Sequence, residues 1–235
     1  MSVEKLPYLY ESIVNGEKIY YGPMKIKHQK LLVELQESIK LKEIPDMNFF
    51  ELLMRINEDL ISKPLDELYY ADFEYLIFLI RAKTYGESIN YNKYSNDMTE
   101  IVNITFNILK DFEVIGNKGM SNQRIKLSND ETIEISPLYL KEVNTLSLIS
   151  GEDSKSYTGL TYSLRKKILD DEVITFNSYE EKASYFNELT IDDLKEVKKK
   201  YNEFPKLNMI INKEIKGKTY ITNFGDIISN FFESV

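Results

Sequence analysis

The chain has no cysteine, no tryptophan and a single histidine. Without cysteine there are no disulfides, no thiolate nucleophile and no sulfur-ligated zinc. One histidine, His28, leaves little for a metal site or a histidine-based triad. Arginine is scarce, at Arg55, Arg81, Arg124 and Arg165, and 30 basic residues stand against 38 acidic ones, a net charge of -8. Binding nucleic acid requires a surface that neutralises phosphate, so this balance argues against a nucleic-acid partner. Long apolar runs are also missing. The longest, Tyr75 to Ile80, falls far short of the roughly 20 residues of a membrane-spanning helix, so no membrane partner is expected. Met1 to Gly16 has no apolar stretch of the kind a secretory signal requires. The expectation is a chain that works in a cytoplasm or in an assembly built there.

What is present suits a folded core: 235 residues, 43% apolar, with 17 tyrosines. Domains usually run to roughly 100–200 residues, so the length serves one large unit or two small ones. A short extended lead-in and the Gly22-Pro23 turn precede Leu31, Leu32, Leu35 and Ile39, spaced along one helical face. Asp46 is placed to cap a second helix reaching Leu60 and Ile61. A third helix has Asp72 as its cap, Arg81 and Lys83 near its far end, and Gly86 as its stop. Between these, Phe73 and Tyr75 to Ile80 are apolar nearly all round, which predicts a central, buried helix.

From Ser88 the period becomes alternating. Ile89 and Tyr91, a turn at Ser95 to Asp97, and Val102, Ile104, Phe106 and Ile108 read as a hairpin. Ile125 and Leu127, a turn at 128–131, then Ile133 and Ile135 read as a second. Residues 151–159 are polar and aperiodic, which predicts a loop. Helical signals follow over Leu160 to Leu169 and from Tyr179. Thr190 with Asp193 resembles a capping box opening a helix with Ile191, Leu194, Val197 and Tyr201 on one face, ended by Pro205. The tail reads strand, turn at Lys216 to Lys218, strand, and a short helix with Ile227, Ile228, Phe231 and Phe232. The expected fold is α+β, with helix-rich amino- and carboxy-terminal parts around a small antiparallel β-hairpin module. The expected division is a helical scaffold at 1–86, hairpins at 87–136 and a helical region at 137–235, together one compact unit.

No chemistry assembles from these residues. Gly217-Lys218-Thr219 lacks the upstream glycine and following helix of a phosphate loop, and fits a hairpin turn. Asp170-Asp171-Glu172 and Asp192-Asp193 are candidate acid/base or cation groups, but adjacent helix positions do not face each other and helix-start acids explain them. His28 beside Lys27 and Lys30 reads as a solvated surface histidine, and Lys198-Lys199-Lys200 as a solvated face. No catalytic, cofactor or metal residue is assigned, and no partner-binding residue is identified.

Two segments carry a resemblance. Asp66 to Glu87, with Asp72, Arg81-Ala82-Lys83-Thr84 and Gly86-Glu87, resembles a motif of the baseplate hub assembly proteins of T-even-type contractile-tailed bacteriophages. Phe186 to Leu207, with Leu189-Thr190 and Pro205-Lys206-Leu207, resembles a second motif of that family. Gly22 to Lys27 and Phe231-Phe232 sit where relatives carry an extended lead-in and a terminal aromatic pair. The resemblance implies a non-enzymatic virion protein that contacts other phage baseplate hub or tail proteins and is assembled in the host cytoplasm. Many relatives look as though they carry Cys-x-x-Cys pairs at two hairpin turns, which would suit a shared zinc. Here those turns read Tyr91 to Met98 and Asn212 to Lys218, without a soft ligand, so no metal is expected and packing must hold the hairpins.

Overall fold

The structure, a computed structural model, describes residues 6–40, 54–55, 58–94, 101–147, 152–169, 172–215 and 217–223. Strands β1 (Tyr8–Glu11) and β2 (Lys18–Tyr21) form an antiparallel hairpin whose alternation buries Tyr10, Ile19 and Tyr21 and leaves Leu9 and Tyr20 outside. Helix α1 (Ile26–Lys40) follows. After a single helical turn at Leu65–Glu67 comes α2 (Tyr70–Tyr85), with Phe73, Leu76, Ile77, Phe78 and Ile80 all buried. Its near-uniform apolarity is satisfied by neighbours on every side.

β3 (Ser88–Tyr94) and β4 (Ile101–Asn107) pair antiparallel, with Ile89 opposite Phe106 and Tyr91 opposite Ile104. After β5 (Val114–Ile115), strands β6 (Gln123–Lys126) and β7 (Thr132–Ile135) make a second hairpin. Helices α3 (Leu140–Ser147) and α4 (Glu152–Ser163) lead into β8 (Leu164–Leu169) and β9 (Glu172–Thr175). These two strands extend the second hairpin into an antiparallel sheet in the order β6-β7-β8-β9. Helices α5 (Tyr179–Asn187) and α6 (Ile191–Tyr201) follow. β10 (Lys206–Leu207) then pairs with β5, and β11 (Ile210–Ile215) with β12 (Lys218–Asn223) closes the described chain.

Buried apolar side chains fall into two cores. The first surrounds α2 and gathers the β1-β2 hairpin, β3-β4 and residues of β10 to β12: Val14, Phe73, Ile104, Phe106, Leu207 and Tyr220 belong to it. The second lies between the four-stranded sheet and α4 to α6, with Ile125, Ile133, Ile135, Leu164, Phe186 and Val197. The motif Phe204-Pro205-Lys206-Leu207 crosses between them, Phe204 in the second core and Leu207 in the first.

The architecture corrects the expectation of helix-rich ends around one small hairpin module. Six helices and twelve strands in several small antiparallel sheets run through the described residues, so β-structure is distributed along the chain rather than confined to its middle. The lead-in is a hairpin, for which Asn15-Gly16 between alternating tyrosine-rich segments was the available signal. Residues 152–163 are helical, not a loop, because Leu160, Thr161 and Ser163 bury there and Tyr157 packs edge-on against Phe186. The helical reading of Leu160 to Leu169 holds only to Ser163, after which β8 takes its place in the sheet. Most of the second helix expected from Asp46, the turn at Ser95 to Asp97, Lys216 and the terminal helix with Phe231 and Phe232 lie outside the described residues.

Candidate functional site

The candidates that fall on described residues each find a structural environment. His28 is buried, 4% exposed, which overturns the reading of a solvated histidine. Its Nδ1 accepts the Lys25 N–H at 2.8 Å, which leaves Nε2 to donate to Asp59 at 2.6 Å. Burial opposes the charge on Asp59, yet the bonds from Lys27 and His28 hold its carboxyl below the usual range. The site bounds a hollow of about 1100 Å³ walled by Leu6, Pro7, Tyr20, Leu60 and Ile61. Asp192 is exposed and pairs with Lys195, whereas Asp193 is buried, so the two acids diverge. Of the acidic stretch at 170–172 only Glu172 is described, and it is exposed on β9. Lys199 and Lys200 pair with Glu196 and Glu203 on the outer side of α6. Gly217-Lys218-Thr219 forms the turn and start of the β11-β12 hairpin. Among the described residues no group of three His, Cys, Asp or Glu side chains could hold a metal ion.

The residues of the two motifs act as tie points. Asp72 is not the cap of α2; Tyr69 holds that position without a side-chain bond. Asp72 instead lies buried in the first turn and accepts from Tyr10 Oη at 2.6 Å, Ser12 Oγ at 2.7 Å and the Ile13 N–H at 2.9 Å. It thereby pins the β1-β2 turn to the central helix. Desolvation raises its carboxyl above the usual range, and the three donors only partly offset this. At the other end of α2, buried Arg81 donates to the Gly86 carbonyl, and Thr84 Oγ1 accepts the Met24 N–H at 2.9 Å while donating to Ile80 O. The lead-in and the helix end are locked by that one hydroxyl.

In the second motif Thr190 caps α6, its side chain accepting from the Asp193 N–H. The Asp193 carboxylate accepts from Thr190 Oγ1 at 2.6 Å and from Ser128 N and Oγ at 2.9 and 2.8 Å, which fastens the β6-β7 turn to the helix start. These bonds, Thr190 first, hold its carboxyl below the usual range. Ile191, expected on the buried face, is 74% exposed, because this first helical residue precedes the packed stripe of Leu194, Val197 and Tyr201. Gly116 has φ +86°, and a Cβ there would lie 2.3 Å from the Phe204 carbonyl oxygen. Only glycine lets β5 approach the Phe204-Pro205 crossover this closely.

A polar seam, missed in the sequence, runs between the two cores. Tyr69 and Tyr139 stack with ring centroids 4.7 Å apart, and the Arg165 guanidinium sits 5.0 Å from the Tyr139 ring centre. Arg165 grips Glu142 with two nitrogens, at 2.6 and 2.9 Å, and donates to Ser136 and Pro137. Lys182, also buried, donates to Tyr162 O at 2.9 Å and lies 3.9 Å from Glu142. Desolvation, with repulsion from Arg165, pushes the Lys182 ammonium down to about 8 against the pull of Glu142. Arg165 and Lys182 both donate to acceptors in this seam, an arrangement suited to fixing geometry.

The remaining feature is exposed apolar surface on hairpins. Tyr94 and Ile101 face one another at the outer end of β3-β4, each 63% exposed, and Ile210 and Ile221 stand out from β11-β12. These are the two hairpins at whose turns the resemblance placed Cys-x-x-Cys pairs that this chain lacks. Lys93 Nζ donates to Ile221 O at 2.6 Å, and Lys213 pairs with Asp111 at 2.7 Å, so the hairpins are joined by protein groups. Ile104 and Phe106 seat the first of them fully in the core. Among the described residues of these hairpins no set of side chains fits a zinc ion.

Comparison with known proteins gives one match. Residues 7–233 fit the model of a family described as T4 bacteriophage base plate protein. No curated protein and no solved structure matches the chain.

Proposed function

Because the chain belongs to the T4 bacteriophage base plate protein family, we propose that it is a non-enzymatic component of the baseplate hub, acting through contacts with other hub and tail proteins. Membership makes it a structural protein of the phage tail baseplate in the virion, with other baseplate proteins as its partners. The finer assignment to the hub, and assembly in the host cytoplasm before the hub joins the wedges, rest on the likeness of residues 66–87 and 186–207 to hub assembly proteins. The observation that carries the reading is that these same segments supply the tie points at Asp72, Thr84, Asp193 and Phe204, so the likeness falls on residues that define the fold. The exposed Tyr94, Ile101, Ile210 and Ile221 supply apolar contact area of the kind interfaces bury.

A phage deleted for this gene and complemented in trans tests the reading. The expected result is tails stalled before hub and wedges join, restored by the wild-type chain. Hub complexes that form and mature normally without the protein reject it.

A further inference from the structure

Strand β9 is an open edge of the four-stranded sheet, and all four of its residues are exposed, Val173 at 56% and Ile174 at 39%. The Phe176 N–H donates to Arg165 O at 3.1 Å, one step beyond the Lys166–Thr175 pair. Alternation along an antiparallel ladder then turns the backbone groups of Glu172 and Ile174 toward β8 and those of Val173 and Thr175 outward. Among the described residues no strand receives them. Neither proline nor lysine interrupts β9 and its pairing with β8 is regular, so only its shortness and the charge of Glu172 blunt this edge.

Charge and shape select the strand that fits. β8 runs antiparallel to β9, so Lys166 and Lys167, which also pair with Glu134 and Glu131 on their other side, flank the Thr175 end, while the opposite end begins with Glu172. A suitable newcomer brings an acidic end beside the lysines and a β-branched residue opposite Val173. β9 itself, turned antiparallel, meets both requirements. We propose that two copies of the chain pair through β9 about a two-fold axis at Val173, joining two four-stranded sheets into one of eight strands. In this register Val173 lies against Val173 of the second copy, and the row Ile168-Val173 continues across the axis as an apolar strip. Ile174 lies opposite Glu172 of the second copy, on the sheet face that carries Lys167. The inference stands independently of the family assignment.

A ladder this short buries far less than the roughly 1,600 Å² of a standard interface, so the dimer is weak and forms at about 0.1–1 mM protein. The absence of cysteine makes the test clean, because Val173→Cys introduces the only thiol. Facing residues of a hydrogen-bonded antiparallel pair have Cα atoms about 5.5 Å apart, within disulfide range. Under mild oxidation Val173→Cys is expected to form a covalent dimer at least about tenfold faster than Ile191→Cys, an exposed control on α6 rather than on β9. Sedimentation equilibrium of the wild type is expected to show a reversible dimer. Val173→Pro and Thr175→Pro, which remove outward N–H groups and none directed at β8, are expected to abolish it with unchanged circular dichroism. Equal oxidation rates, or a wild type that stays monomeric at these concentrations, overturn the proposal. Loss of binding to a different tail protein in the proline variants, without any wild-type dimer, assigns the edge to that protein and likewise overturns it.

Discussion

Asp192 and Asp193 are neighbours with the same chemistry and different roles. The Asp193 carboxylate takes three donors, two of which, from Ser128, bind α6 to the β6-β7 turn, whereas Asp192 is 89% exposed and pairs with Lys195. Asp193→Ala is expected to cost about 1–3 kcal/mol in urea denaturation and Asp192→Ala less than about 0.5 kcal/mol. The Asp193 pKa is lowered in the folded state, so its contribution is present above the unfolded value of about 4 and is lost as pH falls through the folded value. The difference between wild type and Asp193→Ala should therefore shrink below about pH 4. The Lys182 pKa is also lowered, but because burial disfavours its charged form rather than because donors favour it. With a folded value near 8 and an ordinary value of 10.5, the unfolded chain holds the extra proton between them, and stability rises with pH from about 8 to 10. Lys182→Met should flatten that rise; an unchanged slope in denaturation midpoints across those pH values would show that Lys182 is not the group responsible. The capping role of Thr190 was legible in the sequence because it is local. The burial of His28 and Asp72 was not, since it depends on partners 31 and about 60 residues away.

At the scale of elements, alternation and turn chemistry revealed the β3-β4, β6-β7 and β11-β12 hairpins, each with a local pattern that its pairing satisfies. Helix α2 was equally plain from its apolarity. β8 was not, because Arg165-Lys166-Lys167 carries its charges to the seam and to both sheet faces, which erases the period-2 signal. Helix α4 was hidden for the converse reason, a polar sequence made helical by packing against Phe186 and its neighbours. The β5-β10 pair is two residues long and only topology discloses it. It yields a sharp expectation: Gly116→Ala must relieve both a positive φ and the contact with Phe204 O, and should lose at least about 2 kcal/mol. A melting temperature within a degree of wild type would mean that the crossover is not held as described.

For the whole molecule, the two cores are joined by the Phe204–Leu207 crossover and by the stacked tyrosines with their Arg165 seam. Both joints draw on long-range pairings, which is why composition and periodicity gave the α+β class but missed β8, β9 and the β5-β10 pair. The baseplate family became legible through the two motifs, and both motifs contain tie points of the fold, Asp72 and Thr84 in one and Asp193 and Phe204 in the other. The hub assignment is the central claim, and it separates a resident protein from a transient assembly chaperone that shares every feature of the fold. Quantitative mass spectrometry of purified mature particles tests it most directly. The account predicts peptides of this chain at a fixed whole-number ratio to the hub proteins; their absence from mature particles, with abundance in assembly intermediates, would contradict it.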